Sequence, residues 1–392
     1  MRLPAGTRDW LPPELHRKRA VENALRHVFA RWAYEEAQTP NFERFDVLET
    51  GLGDTLAPAT FLFHDRNGTQ LALRPEMTTP IARLVSTRMR EAPLPIRLSY
   101  VQPVYRYEDP QEGRMREFTQ AGLELIGAES ADADAECLFT SIEALDALGL
   151  GDALFDVNHA AIVDGVLEGL GLQPAQVTLC KGLIAERNVV ALRERLSAMG
   201  HRSSVDELAR LVLMRGRVDV LNTVRRFCTS ERSRAGVEYL ARLLKRGADL
   251  GYADRINVDL ALLRDFSYYT GFIFEGYVGE VGFSLCGGGR YDELLPKFGF
   301  NAGAVGWSAG IERLLLALER RHSDHFGAAP AVDVMVSGSD LIAARERAAG
   351  KIVRIDFERR SEKELLEEAK RQRIPRVVIA RGAQIRELEV SW

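Results

Sequence analysis

A chain of 392 residues with 46% apolar and 28% charged residues is long enough for two or three domains and has the composition of an ordinary globular protein. Its net charge of −4 and pI of about 6.1 supply no overall basic excess, which speaks against an affinity resting on a nucleic-acid backbone. Cys137, Cys180, Cys228 and Cys286 lack paired metal-ligand spacing, no apolar run approaches a membrane span, and the first residues lack a signal pattern; the expectation is a reduced cytoplasmic protein without structural zinc or disulfides.

The opening, PAGTRDWLPPE, passes into a helix expected from about Pro13 to Ala33, with Val21, Ala24, Leu25, Val28 and Phe29 at helical spacing. FLFHDRNGTQLALRPEMTTPIARLV then reads as a strand, a turn at Asn67-Gly68, a second strand and a helix beginning near Thr78. Thr78 at the entry to that helix suits either an N-cap or a ligand contact.

The stretch from Ile96 to Gly127 reads as a hairpin whose turn is Asp109-Pro110-Gln111-Glu112-Gly113. Period two puts Met115, Ala121, Leu123 and Leu125 on one face of its second strand and Arg116, Phe118, Gln120, Gly122 and Glu124 on the other. The second face is either a solvated sheet surface or a site. Gly122 favours the site, because a glycine there admits a ligand or another backbone at close range.

From Ser130 to about Asp249 the pattern is mostly helical, broken by FDVNH around Val157 and by Gly200, with charges of both signs. Residues 180–250 are expected to form a helical insertion with solvated faces, and His159 to be a satisfied core histidine. Asn257 to Tyr277 reads as strand, polar loop, strand, and the adjacent Tyr268 and Tyr269 point to opposite faces if extended. In LCGGGRYDELL the glycines lack the spacing of a dinucleotide or P-loop fingerprint, and a tight sheet corner would need them equally. AVGWSAGIERLLLALERR is a strand entering an apolar helix. Beyond a linker at His322–Pro330, residues 331–392 alternate strands and helices, which predicts a small parallel or mixed sheet.

YRYEDPQEGRMREFTQAGLELIG resembles the second signature motif of class II aminoacyl-tRNA synthetases in its histidyl version. PAGTRDWLPPE and the following helix resemble that family's N-terminus and first motif, and GGGRYD with GIER its third. The resemblance implies an α+β fold: a class II synthetase-like antiparallel sheet with flanking helices over 1–325, a helical insertion, and a shortened anticodon-binding-like α/β domain over 331–392. It implies that Glu76 and Thr78 hold the α-amino group of histidine and that Gln120, Glu124, Arg264, Tyr268 and Tyr269 complete the pocket. Arg106 would stand between that pocket and a nucleotide site also containing Arg114 and Arg313.

The chain departs from the synthetases at particular residues. Arg74-Pro75-Glu76-Met77-Thr78 stands where they read RPEGT, the hairpin turn carries Asp109 and Glu112 at positions cationic in the synthetases, Asp265 and Ser267 alter the histidine loop, and the tail is short. In these features it is similar to the synthetase paralogues that regulate ATP phosphoribosyltransferase. That resemblance implies a non-catalytic, histidine-binding subunit with no cofactor or metal, a homodimer within a larger hetero-oligomer, whose partner is a short-form catalytic subunit; tRNA and membranes are not expected partners. The other reading is a working histidyl-tRNA synthetase, in which Arg106, Arg264 and Arg313 stabilise charge developing on the α-phosphate.

Overall fold

The structure, a computed structural model, describes residues 2–391 except 110, 202–204, 264–268, 323–326 and 328–329. Two compact units divide the chain, Met1–Gly327 and Ala328–Trp392. The first opens with helix α1 (Pro12–Arg31) and continues through β1 (Glu35–Glu36), β2 (Phe42–Arg44), α2 (Phe45–Leu56), β3 (Leu62–His64), β4 (Gln70–Leu73) and α3 (Thr78–Arg88). The long hairpin follows as β5 (Ile96–Tyr105) and β6 (Glu117–Ile126). Helix α4 (Ala131–Ala147), β7 (Leu154–His159) and α5 (Ala160–Glu168) precede the insertion: α6 (Pro174–Ala185), α7 (Val189–Ala198), α8 (Val205–Leu213), β8 (Arg215–Gly216), α9 (Asp219–Val224) and α10 (Glu231–Asp249). The unit closes with β9 (Ile256–Asp259), β10 (Phe272–Tyr277), β11 (Cys286–Arg290), α11 (Leu294–Lys297), β12 (Ala304–Gly310) and α12 (Ile311–Arg320).

Local chemistry starts these elements where the sequence predicts. Prolines occupy the first positions of α1, where a missing N–H costs nothing, and Gly68 turns β3 into β4 with φ of 81°. Nine strands among the described residues form one sheet in the order β1-β5-β6-β12-β11-β10-β7-β9-β8. Its central run is antiparallel as expected, while β1–β5 and β7–β9 pair in parallel and make the sheet mixed. Leu123, Leu125, Phe155, Val157, Phe274 and Trp307 share the main core with Val21, Leu25, Val28 and Phe29 of α1. The Phe29 ring meets Trp307 edge-on at 5.6 Å.

The predicted alternation of β6 holds, but the face carrying Gln120 and Glu124 is buried rather than solvated. Gly122 admits a backbone there: a Cβ would lie 2.3 Å from the Trp307 carbonyl oxygen and 2.7 Å from the Tyr100 hydroxyl. The glycines of β11 sit in mid-sheet rather than at a corner. A Cβ on Gly288 would meet the Gly306 carbonyl at 2.1 Å, so only bare backbone lets β11 and β12 approach.

His159 ends β7 and caps α5, its Nδ1 accepting the Ala161 N–H at 3.3 Å. Burial pushes this imidazole down to about 4, so it stays neutral, tilted at 54° against the Tyr239 ring with centroids 4.6 Å apart. Among the described residues no helix is long and apolar enough to cross a membrane, no cluster of side chains could hold a metal ion, and the four cysteines are buried and unbonded to one another.

The second unit contains β13 (Val334–Ser337), α13 (Asp340–Ala348), β14 (Val353–Asp356), α14 (Glu362–Arg371), β15 (Arg376–Arg381) and β16 (Gln384–Glu389). Its sheet order is β14-β13-β15-β16, parallel except for the last pair. The sequence reading missed β16, because its exposed, mostly charged residues carry the marks of an edge strand rather than of a core one.

Candidate functional site

A cleft of about 890 Å³ opens in the first unit over the sheet face that bears Gln120 and Glu124. Register sets its floor: Glu124 pairs across to Gly306, Gly122 to Ser308 and Gln120 to Gly310, while Glu275 pairs to Gly287. The middle of the floor is therefore glycine and serine, and a ligand there would lie almost on the backbone.

Glu124, 1% exposed, closes one wall of the cleft. It accepts hydrogen bonds from the Tyr291 hydroxyl, from Thr78 Oγ1 at 3.0 Å and from the Tyr100 hydroxyl at 3.1 Å. Burial pushes its carboxyl up to about 8; the Tyr291, Thr78 and Tyr100 hydroxyls pull the other way, and the Glu76 charge adds to the burial. The group is thus poised to hold a proton at neutral pH and to give it up to an arriving cation.

Glu76 is the neighbouring acid, also buried. Its carboxylate accepts the Thr78 N–H at 2.5 Å and the Thr79 N–H at 2.9 Å, so it occupies the N-terminus of α3. The capping role open to Thr78 belongs instead to Glu76, since α3 begins at Thr78 itself and that hydroxyl donates across the cleft to Glu124. The loop before α3 is anchored by the buried Arg74, whose guanidinium donates to the Pro103, Thr39 and Pro40 carbonyls and to Gln102 and Asn41. Gln120 donates from Nε2 to Ser308 Oγ at 2.7 Å, while its buried Oε1 has no partner among the described residues.

Cationic side chains border the same cleft. Arg106 donates from Nε to the Pro75 carbonyl at 2.8 Å and lies 5.1 Å over the Phe118 ring. Arg313 donates to the Gly113 and Ser284 carbonyls at 3.0 and 3.1 Å and lies 5.1 Å over Phe283. Arg114 lines the opening, and Glu112 in the preceding turn pairs with Arg320. Acids at one wall and arginines beside the hairpin turn suit a small zwitterion.

Of the site residues named from sequence, Glu76, Thr78, Arg106, Arg114, Gln120, Glu124, Tyr269 and Arg313 line this one cleft. Arg264 and Tyr268 lie outside the described residues, as do Asp265 and Ser267. Sequence reasoning missed Tyr100 and Tyr291 as partners of Glu124. Tyr100 stands directly opposite Gly122 in the hairpin, a pairing that the alternation could have given; nothing local marks Tyr291. It also missed the far end of the cleft, where Arg215 and Arg187 of the insertion pair with the buried Asp156 and Asp259.

Residues 6–314 match the family model of histidyl-tRNA synthetase. The chain is 41% identical to an ATP phosphoribosyltransferase regulatory subunit of Moorella thermoacetica over 93% of this chain and 94% of that one. It is 35% identical to a Symbiobacterium thermophilum protein of the same name over 96% of both chains. Among solved structures it resembles an ATP phosphoribosyltransferase regulatory subunit/histidyl-tRNA synthetase from Bacillus halodurans, with TM-score 0.83 and 28% identity over 98% of this chain and 99% of that one. A histidyl-tRNA synthetase from Nostoc, 23% identical with TM-score 0.81 over 99% and 96% of the two chains, shares the fold. The chain belongs to the histidyl-tRNA synthetase-like family and, within it, to the branch of the ATP phosphoribosyltransferase regulatory subunits.

Proposed function

We propose that this chain binds L-histidine in the cleft without activating it, and that occupancy sets the activity of a separate short-form ATP phosphoribosyltransferase chain in the first step of histidine biosynthesis. The observation that carries the reading is the joined pair of buried acids, Glu76 and Glu124, linked through Thr78 at one wall of the cleft. A buried carboxyl held near neutrality is costly to keep and suits a cationic ligand. In this reading Glu76 meets the ammonium with Thr78 and Gln120 beside it, Glu124 orients the ligand, and Tyr269 closes the wall.

The hairpin turn argues against adenylate chemistry. Asp109 and Glu112 are exposed beside the arginines, and each such acid weakens attraction for a polyphosphate by roughly 1 kcal/mol after screening. Arg106, Arg114 and Arg313 are then the remains of a nucleotide site. The chain acts as a homodimer within a larger hetero-oligomer, with α1 and the following strand at the dimer contact. Residues 331–392 are an anticodon-binding-like α/β domain.

The deciding assay mixes the short catalytic chain with this protein and follows phosphoribosyl-ATP formation. Stimulation on mixing, reversed by histidine, is the expected outcome; no stimulation removes the regulatory reading. The second reading, a working synthetase, is favoured by Arg106 and Arg313, which line the cleft, and histidine-dependent ATP–pyrophosphate exchange at synthetase-like rates would establish it.

A further inference from the structure

At the edge of the cleft, which Glu312 itself lines, a buried ion cluster joins three elements that are distant in sequence. Lys18 of α1, 7% exposed, places Nζ 3.0 Å from Glu22 and 3.4 Å from Glu312 of α12, and donates to the Thr119 hydroxyl of β6. Glu312 in turn accepts the Thr119 backbone N–H at 2.9 Å through its other oxygen.

The position of that N–H gives the contact its meaning. The ladder between β6 and β12 runs from Ile126 paired with Ala304 to Gln120 paired with Gly310, and stops there because β12 turns into α12. Thr119 is the next residue of β6, opposite Pro103 of β5. Its N–H has passed the end of the β12 ladder, and the Glu312 carboxylate replaces the missing strand carbonyl. An anion in the first turn of α12 is also favoured by the helix dipole. Burial nevertheless pushes the Glu312 carboxyl up, against the pull of Lys18 and of the Thr119 N–H.

Without Lys18, the buried Glu312 carboxylate would lose the cation that pairs with it, whereas Glu22 would keep Arg19 at 2.6 Å. Gln120, one residue along β6, lines the cleft, and its buried Oε1 has no partner among the described residues.

We propose that Lys18 is a positioning residue for the ligand cleft: by holding Glu312 on the Thr119 N–H it fixes the end of β6 and so the depth at which Gln120 presents its amide to the ligand. The proposal rests on the reading that the cleft binds histidine, and it adds a residue on α1, on the opposite side of the sheet from the ligand, that tunes affinity through Gln120.

The test is a double-mutant cycle on the full chain, read by calorimetric titration with L-histidine. Lys18→Met is expected to weaken binding about tenfold, within the range of couplings inside one hydrogen-bond network. On a Gln120→Ala background the same substitution is expected to change affinity less than about twofold, since the residue it acts through is gone. A merely structural lysine would cost the same on both backgrounds.

Glu312→Ala removes the acceptor for the Thr119 N–H and leaves Lys18 paired to Glu22. It gives the cycle a second variant should Lys18→Met fail to fold, and its loss is likewise expected to vanish without Gln120. Equal losses on both backgrounds, or none on either, overturn the proposal while leaving the pocket reading intact. If the unsubstituted chain binds no histidine, the pocket reading falls and the proposal with it.

Discussion

Thr78 and Glu124 are bonded across the cleft, Oγ1 to Oε1 at 3.0 Å, joining the first residue of α3 to the C-terminal half of β6. Because Glu76 accepts the Thr78 and Thr79 N–H groups at the same helix start, the two acids and the threonine form one constellation. A cation entering it meets two carboxyl groups whose separation is set by a helix terminus and a strand register together.

Loss of either acid should be felt first in ligand affinity. Glu76→Ala and Glu124→Ala are each expected to weaken L-histidine binding by about 1.5–3 kcal/mol, roughly tenfold or more, as for a charge-assisted hydrogen bond lost from a dry site. Calorimetric titration measures it. Unchanged affinity in both variants would put the ligand elsewhere.

Glu124 also predicts a pH dependence of folding. Its folded value of about 8 lies above the ordinary carboxyl value of 4.5, so between these limits the native chain holds a proton that the unfolded chain releases. The stabilisation is complete below the unfolded value and is lost as pH rises through 8, with a slope on the order of 1 kcal/mol per pH unit. Urea midpoints between pH 5.5 and 8.5 should fall in the unsubstituted protein. In Glu124→Gln that component of the slope should be missing.

Gly122→Ala tests the close approach of β6 and β12. With the Trp307 carbonyl 2.3 Å and the Tyr100 hydroxyl 2.7 Å from the added carbon, overpacking should cost about 1–3 kcal/mol of stability. Displacing Tyr100 should weaken histidine binding as well. Denaturant melts followed by tryptophan fluorescence report the first effect, and titration the second.

Arg290 of β11 tests whether the third motif serves the fold. It is 8% exposed and pairs at 2.6 Å with Asp134 of α4 and at 2.9 Å with Asp292, so it ties β11 to α4. Asp134→Ala removes one of the two acids on a buried guanidinium that keeps Asp292, and is expected to destabilise by about 1.5–3 kcal/mol, whereas histidine affinity in the folded fraction should change little. A variant that melts normally would remove the structural role.

By itself the sequence determined the elements whose signals are local. The hairpin of β5 and β6 follows from period two on either side of a turn, the β3–β4 turn from Asn67-Gly68, and α1 from its apolar spacing behind two prolines. The same alternation put Gln120 and Glu124 on one face. Tertiary structure decided everything that depends on partners distant in the chain: that this face is buried, that Thr78 bonds Glu124 while Glu76 caps α3, and that Tyr291 reaches the same carboxyl from 167 residues away. It also decided that the glycines of β11 serve a strand contact. Periodicity reports which way a side chain leaves its own backbone, whereas burial, register against a remote strand and a shifted carboxyl titration arise only when separate elements pack together.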